Sequence, residues 1–341
     1  MLRLAVALVV GLLLGAAGWG AFVYVSLTKP VNLPPEGVTL SIEQGWGGAK
    51  IATELGQAGV ISHPLFFRVA AKLNGVGNQF KAGRYRFQGN MNALDVQKIL
   101  LEGQVLTRQF SIAEGLNQWQ IAEKLATIFP EYDKSHFLMA FQDQAVLGRL
   151  PKSAKTAEGY LFPETYTVAE EAKPLDLALI MVAEWKKRVS PETLLRARDR
   201  GLDEHDLMTL ASIVEKETGD PSERGLIAAV FHNRIRMKMK LQTDPTVIYG
   251  MWETYDGNIR KKDLLTPTPY NTYVIEGLPP GPIASPGADA IIKTAEPDNV
   301  DYLYFVARGD GSGLHDFSRT LEEHNRAVSR YVRRYRERIA R

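Results

Sequence analysis

Two carboxylates separated by one residue are the strongest candidates for chemistry in this chain of 341 residues. Glu215 and Glu217 end a segment in which Leu210, Ile213 and Val214 have helical spacing. Glu217 continues this apolar stripe at position i+7 from Leu210, whereas Glu215 falls on a weaker face. Burial at the end of such a stripe raises the pKa of a carboxyl group toward neutrality, as a general acid requires. Helical phase therefore favours Glu217 over Glu215 as the reacting group.

The same pattern has a structural alternative, because many carboxylates at helix ends only pair with a neighbouring arginine. The chain around the two acids favours chemistry. Asp203 is placed to cap the helix, Gly219 and Pro221 to end it, and a second helix begins at Pro221. Loops rich in proline, glycine and hydroxyl residues follow at 241–250, 266–273 and 277–287. Proline restricts the backbone of such loops, so they lose little conformational entropy when a ligand binds.

Composition excludes several other kinds of site. The chain has no cysteine, so disulfides, thiolate nucleophiles and zinc–cysteine sites are absent. Its six histidines show no metal-ligand spacing, and no glycine-rich phosphate loop is present, so we expect no metal and no cofactor. A net charge of +2 gives no electrostatic basis for binding nucleic acid.

The N-terminus predicts a membrane anchor. No residue from Leu4 to Leu27 is charged, and a helix of this length extends for about 36 Å, enough to cross a hydrocarbon core of roughly 30 Å. A cleaved signal peptide is the alternative, since Gly15, Ala16 and Ala17 are small, but the apolar run is longer than its usual core. The simplest topology is a single pass through the inner (cytoplasmic) membrane, with the catalytic domain on the periplasmic or outer side.

A repeated pattern follows the anchor. The spacing S-I-x-x-G-x5-I-A-x-x-L begins at Ser41 and occurs again 70 residues later, at Ser111. Alternating apolar residues, then a glycine, then helical spacing predict a strand–turn–helix unit in each copy. Over residues 37–88 a second helix and a second strand are also expected. This β-α-α-β unit resembles the glycan-binding LysM module, although any small α+β domain can show such spacing.

A second group of candidates is the segment Glu158-Gly-Tyr-Leu-Phe-Pro-Glu-Thr-Tyr166. It combines aromatic residues with two carboxylates, a composition that suits the wall of a sugar groove. An aromatic core segment at a domain junction would have the same composition, and both interpretations stay open.

The catalytic half resembles a known family. The run Glu215-Lys-Glu-Thr218 and the stretches 241–249, 270–273 and 278–287 are similar to the YceG-like endolytic murein transglycosylases of the MltG type. The resemblance is strongest over residues 205–306, and the anchor, linker and LysM-like unit fit the same architecture. It implies that Glu217 is the catalytic acid. It also implies substrate-binding residues: Gln242, Asp244, Thr246, Tyr249, Asn271 and Tyr273, to which Glu158 is added from its own motif.

The implied activity is cleavage of the bond between N-acetylmuramic acid and N-acetylglucosamine in peptidoglycan glycan strands, giving 1,6-anhydromuramyl ends. The resemblance also implies internal cuts. One glutamate would act first as acid and then as base, without the second carboxylate of ordinary glycosidases. Partners would be nascent glycan strands and peptidoglycan synthases near the membrane. The alternative is a membrane-anchored protein that binds peptidoglycan without cleaving it.

We therefore expect an α+β chain with a transmembrane helix, a small LysM-like unit and a mixed α/β catalytic domain. The predicted boundaries are a cytoplasmic lead at 1–3, the anchor at 4–27, a linker at 28–36, the LysM-like unit at 37–105, a second strand–turn–helix with its connection at 106–155, and the catalytic domain at 156–341.

Overall fold

The computed structural model describes residues 2–339 and the side chains of residues 8–338. The chain forms two compact units. The first contains residues up to Gln109 and the short segment Thr167–Ala172, and the second contains Phe110–Tyr166 and residues from Lys173 onward. The predicted α+β class is confirmed in this mixture of helices and short strands. Part of the predicted cytoplasmic lead, Met1, lies outside the described residues.

The first unit begins with a long apolar helix and continues as a small α+β domain. Its central elements occur in the order strand, helix, helix, strand, and the two strands pair antiparallel from Val38 opposite Phe87 to Ile42 opposite Gly83. The elements are α1 (Leu2–Thr28), β1 (Val31–Asn32), β2 (Val38–Ile42), α2 (Gly48–Gln57), α3 (Pro64–Leu73), β3 (Gly83–Phe87), β4 (Asn90–Met91) and α4 (Ala93–Glu102), followed by β5 (Thr107–Ser111), which continues into the second unit.

The second unit is mainly helical. The buried helix α10 is its centre and packs against α9, α11, α12 and α14. The elements are α5 (Gln118–Ile128), α6 (Lys134–Ala140), α7 (Gln144–Leu147), β6 (Thr165–Ala169, which belongs to the first unit from Thr167), α8 (Pro174–Arg188), α9 (Pro191–Asp199), α10 (Glu204–Glu217), α11 (Arg224–Arg236), α12 (Asp244–Gly250), α13 (Lys261–Leu265), α14 (Ala288–Ala295), β7 (Tyr304–Ala307), β8 (His315–Ser318) and α15 (Leu321–Ile339), with one-turn 3-10 helices at Pro221–Glu223 and Trp252–Thr254.

Both copies of the repeat form the predicted strand, turn and helix. In the first, β2 ends at Ile42, Gly45 has a φ of +89°, and α2 follows. In the second, β5 ends at Ser111, Gly115 has a φ of +74°, and α5 follows. Glycine suits these turns because it has no Cβ to oppose a left-handed backbone. The helical isoleucine, alanine and leucine of each copy are at most 1% exposed and lie in the core of its unit.

We expect Leu125→Ala, in the second copy of the repeat, to lower the free energy of unfolding by about 2–5 kcal/mol, because Leu125 is fully buried and its removal leaves a cavity. Leu195→Ala is the matched control, since Leu195 is 58% exposed, and should change it by less than about 0.5 kcal/mol. Chemical denaturation of the detergent-solubilised chain measures both. Equal effects of the two substitutions would contradict this assignment of the core.

Candidate active site

Helix α10 carries the two candidate acids to the surface of the second unit. Asp203 caps its first turn by accepting a hydrogen bond from the backbone N–H of Asp206 at 2.8 Å. Every residue from Leu207 to Val214 is buried, so the helix is surrounded by protein over most of its length. It leaves this core only at its last residues, and the chain becomes extended at Thr218. Glu217 therefore lies where a buried helix opens onto a cavity.

The helix directs the two acids into different environments. Glu215 accepts hydrogen bonds from the Arg224 guanidinium at 3.0 Å and from the backbone N–H of Gly287 at 3.1 Å, and its side chain is 7% exposed. Lys216 donates to the carbonyl of Gly115 at 3.1 Å. Glu215 thus has the structural role of an arginine-paired carboxylate. Glu217 instead lines an open pocket, as the helical phase indicates.

The Glu217 pocket, as we call it, has a volume of about 490 Å³ and is built from distant parts of the second unit. The loop after α11, the start of α12, strand β7 and helix α15 all contribute to it. Besides Glu217, its lining residues are Arg234, Leu241, Gln242, Asp244, Tyr273, Tyr304, Phe305, Val306, Leu321, His324 and Val328.

Removal from water controls the protonation of Glu217. Burial raises its pKa from the ordinary 4.5 to about 7, the nearby Thr243 hydroxyl lowers it, the negative charge of Asp244 raises it, and the positive charge of Arg234 lowers it. Glu217 can therefore hold a proton near neutral pH and release it readily, as a group acting first as acid and then as base must.

Arg234 joins the two sides of the Glu217 pocket. Its guanidinium donates to the carbonyl of Leu303 and to that of Leu241, each at 2.7 Å, and lies 5.3 Å from the centre of the Tyr304 ring. These contacts connect the loop before α12 to the segment that enters β7. A buried cation with satisfied donors also limits the rise in the pKa of Glu217.

Two of the predicted binding residues, Asp244 and Tyr273, form a hydrogen-bonded pair in the Glu217 pocket. The phenol of Tyr273 donates to Asp244 Oδ1 at 2.6 Å, and burial together with this bond raises the pKa of Tyr273. A second carboxylate therefore lies in the same pocket as Glu217, which the spacing in the sequence did not indicate. Asp244 is exposed and is oriented by the phenol.

Gln242 lines the same pocket with an unusual backbone. Its φ of +50° lies in the left-handed region, which costs a residue with a Cβ about 1 kcal/mol or more. Its N–H donates to the carbonyl of Thr272 at 3.2 Å, and its side chain is exposed. Strain of this kind concentrates at functional sites, where the surrounding structure maintains it.

Thr246 and Asn271 lie behind the pocket walls. The Thr246 hydroxyl donates to the carbonyl of Thr243 at 2.7 Å, and its side chain is fully buried. The Asn271 amide donates to three backbone carbonyls, those of Asp263, Leu264 and Thr266, and is 1% exposed. Both residues shape the loops that carry Asp244 and Tyr273, and the structure gives them no open surface toward a ligand.

Tyr249 and Glu158 lie together at a different cavity, which we call the Glu158 cavity and which has a volume of about 450 Å³. The phenol of Tyr249 donates to Glu158 Oε2 at 3.0 Å, and the backbone N–H of Gln118 donates to the same oxygen at 2.9 Å. Burial raises the pKa of Glu158 to about 8, although both hydrogen bonds lower it. The predicted binding residues are thus divided between two cavities, and their roles toward a substrate stay predictions.

Helix α15 supplies pocket residues that sequence reasoning missed. Its arginine-rich composition indicates a solvated terminal helix, yet Leu321, His324 and Val328 line the Glu217 pocket and Ala327 is 1% exposed. The signal was available, because positions 321, 324 and 328 recur at helical spacing within the charged segment. Within the described residues, no group of three or more His, Asp or Glu side chains could hold a metal ion.

We expect Glu217→Gln to stabilise the chain at alkaline pH. The pKa of Glu217 is raised on folding, so its contribution to stability is fully present below about pH 4.5 and is lost as the pH rises through about 7. Replacing it with a neutral amide removes this loss, worth on the order of 2–3 kcal/mol above pH 7. Glu215→Gln should instead destabilise the fold at neutral pH by breaking the pair with Arg224. Unfolding free energies measured from pH 4 to about 9 test this, and a constant difference between Glu217→Gln and wild type would contradict it.

Comparison with known proteins agrees with the resemblance seen in the sequence. The profile of the YceG-like family matches residues 40–330. The chain is 33% identical to the endolytic murein transglycosylase of Bacillus subtilis, covering 92% of this chain and 90% of that protein. It is 31% identical to the endolytic murein transglycosylase of Streptococcus pneumoniae (serotype 2, strain D39), covering 94% of this chain and 63% of that longer protein.

A solved structure shares the fold. The crystal structure of a YceG-like protein from Listeria monocytogenes is 33% identical in sequence, with a TM-score of 0.59 over 86% of this chain and 99% of that one. Because the family profile spans most of the chain and these relatives are matched over most of its length, the chain belongs to the YceG-like family.

Proposed function

We propose that this protein is an endolytic murein transglycosylase that cleaves peptidoglycan glycan strands with Glu217 as its catalytic acid. The observation that carries the proposal is a carboxyl group with a pKa of about 7 at the wall of an open pocket of about 490 Å³. The curated relatives are named for the same activity. A protein that only bound glycan would gain nothing from desolvating this group, which costs it stability above neutral pH.

The proposed reaction needs one group that exchanges a proton twice. Protonated Glu217 donates its proton to the glycosidic oxygen between N-acetylmuramic acid and N-acetylglucosamine, and the bond from that oxygen to the muramyl C1 breaks. The Glu217 carboxylate then takes the proton of the muramyl C6 hydroxyl, whose oxygen bonds to C1 of the same sugar. The products are a 1,6-anhydromuramyl end and a free N-acetylglucosamine hydroxyl. Because nucleophile and electrophile belong to one ring, the step has a large effective molarity.

The position of Asp244 supports one other outcome, hydrolysis. Two carboxylates in one pocket could divide the roles of acid and base, with water as the nucleophile. We favour the transglycosylase because Asp244 Oδ1 already accepts a hydrogen bond from the Tyr273 phenol at 2.6 Å, so that this oxygen is not available to a water. The two reactions differ in their products, since hydrolysis leaves reducing ends.

We expect Glu217→Gln to lower the release of anhydromuramyl ends by at least about a thousandfold, because the amide cannot donate the proton that the leaving oxygen needs. The assay incubates the full chain with purified peptidoglycan and identifies the products by mass. Glu192→Gln, at an exposed side chain on α9 paired with Arg196, is the matched control. Wild-type activity in Glu217→Gln would overturn the assignment of the acid, and reducing ends from the wild type would overturn the transglycosylase mechanism.

We also propose that α1 is a retained anchor that holds the two units on the outer side of the membrane. Residues Leu8–Thr28 are long and apolar enough to cross a bilayer. The apolar helix continues well beyond Gly15, Ala16 and Ala17 and is longer than the roughly 7–15 residues of a typical signal-peptide core. The last turn belongs to the first unit, since Ser26 and Leu27 are buried and Leu27 lies in its core.

For the first unit we propose a glycan-binding role like that of the LysM module. Its β-α-α-β order is the basis for this proposal. A cavity of about 370 Å³ lies beside α2 and α3 and is lined by backbone of three glycines together with Arg68, Lys72 and Asn78, which can donate hydrogen bonds to sugar oxygens.

The anchor predicts that the mature protein keeps its first residues. We expect the chain purified from membranes to have the mass of the full sequence and to resist extraction by alkaline carbonate, because an apolar helix of this length is inserted stably. Mass spectrometry of the intact protein checks this directly. An N-terminus after Ala17 in the purified protein would show that α1 is a signal peptide.

A further inference from the structure

We propose that the Glu158 cavity is a second saccharide-binding subsite, which holds a sugar of the same glycan strand at a distance from the bond that Glu217 cuts. The inference rests on the proposed function and extends it to the choice of substrate. Its basis is a pair of buried polar side chains in the wall of this cavity, each with one oxygen that has no partner. Glu158 is 3% exposed and Gln118 is 6% exposed, and Oε1 of each has no hydrogen-bond partner within the described residues.

The rest of both side chains is already engaged. Glu158 Oε2 accepts from the Tyr249 phenol and from the backbone N–H of Gln118, and the Gln118 amide nitrogen donates to the Tyr249 oxygen at 3.3 Å. These bonds fix where the two free oxygens lie. Burial raises the pKa of Glu158 to about 8, so the group is mostly protonated at neutral pH, and its proton lies on Oε1 because Oε2 accepts two hydrogen bonds. Glu158 Oε1 is then a free donor and Gln118 Oε1 a free acceptor. A buried polar group without a partner costs about 1–3 kcal/mol, so a ligand that supplies both an acceptor and a donor gains that amount on binding. Hydroxyl and acetamido groups supply both, and they occur together on N-acetylated sugars.

The other walls of the Glu158 cavity suit the apolar face of a sugar ring. Tyr249 packs against Trp119 with ring centres 5.0 Å apart and against Tyr270 at 4.6 Å. His205 is held by the Tyr160 phenol at 2.7 Å and by the carbonyl of Pro280 at 2.9 Å. The rings and the prolines of the loop 277–287 are therefore rigid, and a rigid wall loses little entropy when a ligand binds.

Positions on helices α12 and α10 give the separation between the Glu158 cavity and Glu217. Asp244 lines the Glu217 pocket, and Tyr249, about 7–8 Å along the α12 axis and about 140° around it, lines the Glu158 cavity. Along α10, His205 at the Glu158 cavity and Glu217 are about 18 Å apart. A third cavity of about 340 Å³ is lined by Tyr249 together with Lys216, the neighbour of Glu217, and with Pro245 of α12. A strand that occupies both the Glu217 pocket and the Glu158 cavity must extend beyond the cut bond. The second subsite thus gives a physical reason for preferring the interior of long strands.

The test is the dependence of binding on strand length, measured by calorimetry with peptide-free glycan strands of two, four and eight sugars. The full chain in detergent micelles carries Glu217→Gln, so that no strand is cut. We expect affinity to rise with length in this Glu217→Gln chain, and a further Gln118→Leu substitution to weaken binding of the longest strand about tenfold, because it removes the free acceptor of the cavity wall. Lys155→Trp, at the exposed rim of the Glu158 cavity, should act likewise by obstructing it without touching the core. Glu192→Gln is the matched surface control.

The outcomes separate the two proposals. If Gln118→Leu and Lys155→Trp, both shown to be folded by thermal unfolding, bind the longest strand as tightly as the Glu217→Gln chain alone, the subsite is overturned and the buried polar groups only stabilise the fold. A loss confined to long strands supports it. Product analysis of the wild type, run in parallel, reports on the proposed function alone: cleavage without a length effect refutes only the subsite, and a length effect without anhydromuramyl ends refutes only the transglycosylase.

Discussion

A carboxyl group withdrawn from water loses more by ionising than by keeping its proton, and the Glu217 pocket is organised around this constraint. The apolar body of α10 carries Glu217 to the wall of the pocket, and Asp244 adds a negative charge that opposes ionisation. Arg234 limits the effect, so that the pKa rises to about 7 and not far beyond it. A group balanced in this way can give a proton to a leaving oxygen and take one back in the same turnover.

Surrounding residues stabilise this arrangement, which contains a buried charge and a strained backbone. Arg234 is buried at the site and is stable there because backbone carbonyls on two separate segments accept its hydrogen bonds. Gln242 keeps a left-handed backbone beside the acid. Thr246 and Asn271 use their polar atoms to hold the loops in which these features occur. Hydrogen bonds to backbone carbonyls therefore hold the segments that form the pocket.

The features predictable from sequence are those that local periodicity encodes. The two copies of the repeat place the same apolar positions in two cores, and the phase of α10 separates Glu217 from Glu215. The ion pair between Glu215 and Arg224 joins residues on adjacent helices and was foreseen only as a possibility for either acid. Contacts between residues that are far apart in the sequence could not be predicted in this way. The helical spacing of positions 321, 324 and 328 marks one face of α15 but not what that face packs against. The contact of this face with the Glu217 pocket and the position of Asp244 in the same pocket depend on tertiary packing.

The central claim is that Glu217 remains protonated near neutral pH because it is desolvated. Its most direct measurement is the titration of the Glu217 carboxyl carbon by ¹³C NMR in the full chain, assigned by its absence in Glu217→Gln. We expect a midpoint near pH 7. A midpoint near 4.5, the ordinary value for a glutamate, would contradict it and would remove the physical basis for Glu217 as the catalytic acid.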